Sequence, residues 1–438
     1  MVSHLGVVGA GYVGLTSAAC LAHLGFRVTC VDNDVAKVDR LCAGEVTIAE
    51  PGLADLVVAG RTRSRLDFTT DITTLAGVDL VLLCLPTPMG PDGACNLDVF
   101  ESTLAILGGV LRPGCVIVTK STVPLGTAGR VPRLLGRADL PVVSNPEFLR
   151  EGHAVEDFLH PDRVVIGADA AYRDAAEEVA ALYAETGAPV LHTDPATAEV
   201  TKYASNAFLA IKASYVNVLA ELCERVGADV TEVTHAMGLD DRIAPDFLTA
   251  GPGWGGSCLP KDTSALLRAA EEAGVDFALV RDAVKANARQ QATVVRKVRC
   301  AVTGSADGSL VGARIGILGL AFKAGTGDLR DSPAIAIVEA LARQGAILTA
   351  YDPAVGAAVG LGIHGVGVVS DPYLVAEDAA ALVVLTEWPE FRTLDWTALA
   401  RAVRHPVVVD MRNVLDAAEL ATAGFRRVGL GTSAEPMA

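Results

Sequence analysis

"LGVVGAGYVG", residues 5–14, decides the fold. Leu5, Val7 and Val8 form an apolar run that ends in glycine. "YVGLTSAACLAHL" (12–24) follows with helical spacing and stops at Gly25, a residue suited to closing a helix. "FRVTCVD" (26–32) is then a second strand ending in Asp32. Strand, tight turn, helix and strand make a βαβ unit. Gly9 permits the turn, Gly11 lets backbone approach a pyrophosphate, and Gly14 lets the helix pack closely on the strand. With Tyr12 and Val13 they form a G-x-G-x-x-G turn whose helix N-terminus receives an anion. Asp32, 18 residues past Gly14, stands where a carboxylate accepts both ribose hydroxyls. Asn33 follows it and no arginine is near, so NAD is expected rather than NADP.

Outward from this unit, "VDLVLLCLP" (78–86), "CVIVTKST" (115–122) and "PVVSN" (141–145) alternate with helical stretches. A parallel doubly wound α/β sheet is expected to about residue 190. A second copy of the plan begins at "ARIGILGLAF" (313–322). Ser332-Pro333 reads as a helix cap and first-turn pair, "AIAIVEALARQ" (334–344) as the helix, and "AILTAYD", "ALVVLT" and "PVVVDMR" as further strands. Its loop lacks the G-x-G-x-x-G pattern. Between the two, Asp194-Pro195 opens a stretch that runs to Gly227 without an interior glycine or proline, which predicts a helix of about eight turns. Val200, Tyr203, Ala207, Ile211, Val218 and Leu222 are expected to form its buried stripe. The expectation is two Rossmann-like domains, 1–193 and 301–438, joined by a long central helix within a helical region, 194–300.

Composition narrows the class. A chain of 438 residues, 51% hydrophobic and rich in glycine, suits a multidomain α/β enzyme with large cores. A net charge of −16 argues against nucleic acid or an anionic membrane as partner. The nine cysteines contain no C-x-x-C pair, so neither a disulfide framework nor a metal site is suggested, and most sit in apolar segments as small core residues. No apolar run reaches the length of a membrane span, and the chain enters a strand at once, so a cytoplasmic protein without a leader is expected.

Several residue groups carry chemistry. Thr87, Lys120-Ser121-Thr122 and Asn145-Pro146-Glu147 fall at strand ends, where they would line the crevice above a cofactor. Thr122 serves equally as a backbone cap. Glu147 and Glu151 share a face if their stretch is helical, and a solvated acidic edge is the competing reading of that face. Lys202 and Asn206 are i,i+4 neighbours on the long helix, beside its apolar stripe. "GWGGSCLPKD" (253–262) places Cys258 in a glycine-rich loop just before Lys261 and Asp262. A nearby cation favours a thiolate able to attack a carbonyl carbon, and a carboxylate can take a proton from water. Core packing is the competing reading of that cysteine. In the second repeat Lys323, Arg330 and Arg412 lie beside strand ends and a helix N-terminus, either as anion ligands or as surface bases.

With these residues in hand, the chain resembles the UDP-glucose 6-dehydrogenases within the nucleotide-sugar 6-dehydrogenase family. The resemblance runs from "GAGYVG" through "KSTVP", "NPEFLREG", "PDRVVIG", "KYASNAF", "GGSCLPKD" and "LAFKAGTGDLRDSP" to "TEWPEF". It implies a four-electron, NAD-dependent oxidation of the sugar C6 alcohol to a carboxylate. Cys258 would capture the aldehyde as a thiohemiacetal that becomes a thioester. Lys202 and Asn206 would stabilise the oxyanion, Glu147 and Asp262 would serve proton transfer, and Thr122 would help to place a water. Val13, Asp32, Lys37, Thr122, Glu151, Lys261 and Arg330 would contact NAD. Glu147, Phe148, Leu149, Arg150 and Glu151, then Phe247, Leu248, Thr249, Ala250 and Gly251, with Gly255 and Lys323, would hold UDP-glucose. Arg242 would reach a partner subunit's site in a homodimer built on the long helix. Leu259 departs from the UDP-glucose pattern, which often has phenylalanine there, and matches the GDP-mannose branch. The rivals are the same chemistry on GDP-mannose or UDP-N-acetylmannosamine, a two-electron β-hydroxyacid dehydrogenase, and a non-catalytic NAD-binding regulator.

Overall fold

The computed structural model describes residues 2–90, 95–358 and 360–432. The chain divides into two compact units, Met1–Ser205 with Ser264–Val275, and Asn206–Thr263 with Asp276–Ala438.

The first unit holds an eight-stranded sheet: β1 (His4–Val8), β2 (Arg27–Val31), β3 (Leu66–Thr69), β4 (Leu80–Leu83), β5 (Val116–Thr119), β6 (Val142–Ser144), β7 (Val164–Ala168) and β8 (Val190–Thr193). The order is β3-β2-β1-β4-β5-β6-β7-β8. Its first six strands are parallel in the doubly wound order that puts ligands at the point where the strand order reverses. These strands read as unbroken apolar runs because helices cover both faces; Leu80, Val81, Leu82 and Leu83 are all fully buried. Truncating one of these leucines to alanine would cost about 2–5 kcal/mol.

One sequence expectation fails here. β7 runs antiparallel to β6, so the sheet is not parallel to residue 190. The stretch between them holds only a six-residue helix, Ala154–Leu159, and makes no crossover back to the far end of the sheet. β8 then pairs parallel to β7.

Four further helices bear on the candidate residues of one unit or the other. In chain order, α1 is Tyr12–His23, α2 is Thr127–Leu135, α3 is Pro195–Val226 and α4 is Leu259–Glu272. α3 has 32 residues, about 48 Å at the α-helical rise. Its start follows the sequence: Pro195 opens the helix, and the Asp194 carboxylate accepts the Thr197 N–H at 2.9 Å.

The buried stripe expected on α3 is only partly right. Tyr203 and Ala207 are buried, but Val200, Val218 and Leu222 are 41%, 48% and 53% exposed. In the second unit the buried face of α3 runs instead through Ala207, Ala210, Ser214, Asn217, Ala220 and Cys223. Small and hydrogen-bonding residues occupy it because other backbone segments approach closely there. Hydrophobicity alone selects the larger residues and so the wrong face.

The second unit holds β9 (Arg314–Leu318), β10 (Ile347–Tyr351), β11 (Val366–Val369), β12 (Ala381–Val384), β13 (Val407–Asp410) and β14 (Arg426–Val428). All are parallel, in the order β11-β10-β9-β12-β13-β14. This repeats the first six strands of the other sheet, as the duplicated sequence plan predicts. Two more helices, α5 (Ala278–Thr303) and α6 (Pro333–Arg343), belong to this unit. Ser332 caps α6 by accepting the Ala334 N–H at 3.2 Å, and Pro333 is its first residue. Among the described residues no helix is long and apolar enough to cross a membrane.

Candidate active site

In the first unit the glycine turn is built as its sequence requires. Gly9 has φ +97°, and a Cβ there would meet the Cys84 carbonyl oxygen at 2.4 Å. A Cβ on Gly14 would fall 1.8 Å from the Gly9 carbonyl oxygen. Gly11 differs: a Cβ there meets nothing within 4 Å, and as the residue before α1 it offers no side-chain cap. The N-terminus of α1 therefore keeps backbone N–H groups and open space for a phosphate.

Asp32 follows β2, and its carboxylate accepts the Ala10 N–H at 2.7 Å, the Asp34 N–H at 3.0 Å and the Lys37 ammonium at 3.0 Å. Burial pushes its pKa up, but the Asp34 and Ala10 N–H groups and then Lys37 outweigh this and hold it below the ordinary value. The carboxylate is thus ionised and fixed in orientation. The Tyr12 hydroxyl donates to Glu50, a buried carboxylate that also accepts the Gly152 N–H at 2.7 Å. Sequence reasoning passed over Glu50, which ties the glycine turn to the end of "NPEFLREG". Val13 is half-buried within α1.

A pocket in this unit is lined by Thr119, Ser121, Thr122, Val123, Ser144, Pro146, Glu199 and Lys202. Thr87 donates its hydroxyl to the Thr122 carbonyl at 2.8 Å. Lys202, 3% exposed, pairs with the Glu147 carboxylate at 2.8 Å. Burial drives the Glu147 pKa up, but the Lys202 charge and hydrogen bond, the Leu149 N–H and the charge of Lys120 outweigh it and hold it below the ordinary value. Lys120 is itself buried against Tyr183 and Asn145, at 3.1 and 3.3 Å.

Residues 145–150 are not helical, so Glu147 and Glu151 do not share a helix face. Pro146 and the 2.7 Å bond from the Leu149 N–H to Glu147 hold the segment in a turn. Phe148 stacks under Arg163, whose guanidinium lies 3.8 Å from the ring centroid. Arg150 pairs with Asp157 at 2.6 Å, and Glu151 is half-buried in the turn that follows.

In the second unit Cys258 sits immediately before α4, and its carbonyl accepts the Asp262 N–H at 2.9 Å. Cys258 therefore stands at the N-terminus of α4, the positive end of its dipole. Pro260 in the first turn is the sequence signal for this placement, which the reading of the stretch as a loop missed. One turn on, Asp262 is fully buried; it accepts from Asn206 at 2.6 Å and pairs with Lys261. Burial pushes the thiols of Cys20, Cys84 and Cys115 up to about 12.

The glycine-rich loop before Cys258 is held on two helices. Gly251 N–H donates to Asn217 at 2.8 Å, and Gln290 donates to the Gly251 carbonyl at 2.7 Å. Asn287 bonds both the N–H and the carbonyl of Trp254, each at 2.9 Å, while the Trp254 indole donates to Ser214 at 2.8 Å. Gly255 is required because a Cβ there would meet the Asp331 carbonyl oxygen at 1.9 Å. The signal for these supports was present but unused: Asn217 on α3, and Asn287 with Gln290 one turn apart on α5, are buried amides on helices. Phe247, with φ 62°, and Thr249 are exposed, whereas Leu248 and Ala250 are buried.

Of the cations expected to hold an anion, Arg412 donates to the Leu385 and Phe322 carbonyls at 2.9 and 3.0 Å and lies 3.1 Å from Glu387. Arg330 forks onto Asp328. Lys323 lies over the Phe322 ring. Arg242 is 89% exposed and forks onto Asp240. Among the described residues no group of His, Cys, Asp or Glu is assembled to hold a metal.

Comparison with known proteins accounts for both halves. Residues 3–187 match the NAD binding domain, 196–289 the central domain and 316–417 the UDP binding domain of the UDP-glucose/GDP-mannose dehydrogenase family. The UDP-glucose 6-dehydrogenase of Rhizobium meliloti is 44% identical over 97% of this chain and 98% of its own length. Among solved structures, a UDP-glucose dehydrogenase from Pyrobaculum islandicum superposes with TM-score 0.87 at 36% identity, covering 96% of each chain. A UDP-D-ManNAc dehydrogenase from Pyrococcus horikoshii does so with TM-score 0.87 at 28% identity, covering 99% of this chain and 100% of that one. A glycine turn open for a dinucleotide, a cysteine at a helix N-terminus and three family domains in order lead to one conclusion: the chain belongs to the UDP-glucose/GDP-mannose dehydrogenase family and is an NAD-dependent oxidoreductase acting on a nucleotide sugar.

Proposed function

We propose that this enzyme oxidises the C6 alcohol of UDP-glucose to the carboxylate of UDP-glucuronate, with Cys258 as covalent nucleophile. The observation that carries the proposal is Cys258 at the start of α4, one turn before an Asp262 carboxylate that Asn206 and Lys261 hold in place. The names and coverage of the relatives support the substrate.

The glycine turn, the uncapped start of α1 and Asp32 suit the pyrophosphate and ribose of NAD, with Thr87, Lys37 and Glu151 beside them. When bound, NAD+ would supply the hydride acceptor, one NAD+ for alcohol to aldehyde and, once its NADH has left, a second for thiohemiacetal to thioester. The Cys258 sulfur adds to the aldehyde carbon, and the new alkoxide takes a proton or is held by Lys202 and Asn206. Water then adds to the thioester carbon while Asp262 accepts its proton, and the C–S bond breaks to return the thiolate and release the carboxylate. Glu147, held ionised by its pairing with Lys202, takes up the proton released from the alcohol. Thr122 positions a water in the pocket. Phe247 to Gly251, Gly255, Lys323 and Arg412 offer main-chain and cationic groups to the nucleotide sugar.

Replacing Cys258 by serine tests this directly. The variant should fold and bind NAD normally, yet form almost no uronate; near-normal uronate formation would remove the nucleophile.

The same chemistry on UDP-N-acetylmannosamine or GDP-mannose is a second reading, favoured by Leu259 and by the likeness to the Pyrococcus enzyme. NADH yield on the three purified sugars separates these.

A homodimer completes the proposal. Phe208, Tyr215, Val218, Leu222 and Val226 lie seven, three, four and four residues apart along α3 and are 48–66% exposed. A second copy covers this seam, and the exposed Arg242 is available to it. Phe208→Glu with Leu222→Glu should turn a dimer into a monomer in sedimentation, whereas an unchanged mass would refute the seam.

A further inference from the structure

Glu199 has no part in the reaction as written above, yet it is a carboxylate only 5% exposed. It lies on α3 three residues before Lys202. Its two oxygens accept the Gly126 N–H at 2.6 Å and the Ala128 N–H at 2.9 Å. These N–H groups belong to the start of α2, where Gly126, at φ 82°, has no side chain with which to cap the helix. A serine or aspartate at 126 would provide a cap locally; here it comes from the helix that carries Lys202. Burial raises the Glu199 pKa, and the two N–H bonds offset this only in part. The same side chain lines the pocket with Thr122 and Lys202.

The consequence falls on the segment between β5 and α2. At its near end the Lys120 and Ser121 N–H groups donate to the Leu83 carbonyl at 3.1 and 3.0 Å, and the Ser121 hydroxyl accepts the Leu85 N–H at 2.8 Å. Thr122 lies next, with its carbonyl taken by Thr87. At the far end Glu199 fixes Gly126 and Ala128. Main-chain bonds fasten one end, and a buried charge from α3 fastens the other.

We propose that Glu199 is a positioning residue, which by joining the helix of Lys202 to the loop of Thr122 holds the threonine hydroxyl at a fixed place in the pocket relative to the lysine. The inference rests on the roles given above to Thr122 and Lys202. Displacement of a catalytic group by about 1 Å can cost on the order of 100-fold in rate, so a remote anchor is worth a buried carboxylate.

A double-mutant cycle on the full-length enzyme tests it, with kcat and the KM values for UDP-glucose and NAD measured for Thr122→Ala, Glu199→Ala and the double variant. Thr122→Ala and Glu199→Ala should each lower kcat by about tenfold or more, and any change in the NAD KM should be shared by the two variants, because Thr122 is also expected beside the cofactor. The double variant should be no slower than the worse single variant, within about twofold, because both changes remove one arrangement. Glu199→Gln, which keeps the shape and one acceptor, should fall between parent and alanine variant, and it replaces Glu199→Ala in the cycle if the alanine protein does not fold. A parental kcat in the Glu199 variants, or effects that multiply in the double variant, would reduce Glu199 to a helix cap and overturn the proposal. A parental kcat in Thr122→Ala alone would instead remove the role of Thr122, and the two failures are read from different variants.

Discussion

The two sheets of this chain share a strand order and diverge at the same turn. Gly9 and Gly319 follow the first strand of their sheets with the same φ of +97°, and a Cβ on either would come within 2.4 Å of the neighbouring strand's end, at Cys84 or Thr386. Beyond that glycine the designs part. In the first sheet α1 starts at Tyr12 without a side-chain cap and with open space over Gly11. In the second the chain runs on to Ser332, whose hydroxyl caps α6 and donates to the Leu320 carbonyl at 2.7 Å. Asp352, which follows β10 as Asp32 follows β2, takes the Leu320 and Ala321 N–H groups at 2.7 and 2.9 Å and the Trp388 indole at 3.1 Å. Strand order fixes where a crevice lies, whereas the hydrogen bonds already made within the turn decide what it can still bind. Asp352 takes two N–H groups of its turn where Asp32 takes the one of Ala10, so fewer are left there for a pyrophosphate.

The largest test of that contrast is Gly11→Val. A Cβ there meets no protein atom within 4 Å, so thermal stability should hold, while NAD affinity should fall by about 100-fold in calorimetry because the added carbons fill the space of the phosphate. Unchanged affinity would break the comparison. Next in size, Asp352→Ala strands several buried donors and should cost about 3 kcal/mol in urea unfolding with NAD affinity unaltered. Asp32→Ala should do the reverse, weakening NAD by about tenfold with a smaller loss of stability. An NAD defect in the Asp352 variant would mean that the second turn binds dinucleotide after all.

A smaller effect depends on pH. Glu147 has a folded pKa below its ordinary value, so the stability it contributes is present above the ordinary glutamate range and is lost as pH falls through the folded pKa. Lys202→Met leaves burial unopposed by that charge, and the acid limb of unfolding assigned to Glu147 should move to higher pH. An unmoved limb would show that Lys202 does not hold the carboxylate ionised. The smallest change expected is Arg330→Ala. This arginine is 66% exposed and forks onto Asp328, so its loss should alter stability by no more than about 0.5 kcal/mol, and any rise in the NAD KM then reports ligand contact alone.

Much of this was legible in residues 5–32 and 313–352, because glycine turns, apolar runs and strand-end aspartates are local features with one physical reading. Ser332-Pro333 and Asp194-Pro195 likewise announced their helices. What escaped depends on contacts distant in sequence. The antiparallel return of β7 follows from a missing crossover, which no local pattern of Val164–Ala168 reveals. The buried face of α3 is chosen by the approach of Gly251 and Trp254, so it favours alanine, serine and asparagine over valine and leucine. Glu50 and Glu199 carry no local signal, because Gly152, Gly126 and Ala128, which spend their N–H groups on them, are distant in sequence. The choice between core packing and chemistry at Cys258 rested on family resemblance, because its place at the head of α4 was read as a loop.

The stoichiometry of the complete reaction tests the central claim most directly: NADH formed per UDP-glucose consumed by the intact enzyme, with the sugar product identified by mass. Two NADH and UDP-glucuronate are predicted. One NADH with an aldehyde product would contradict the thioester route and the nucleophile at Cys258 with it.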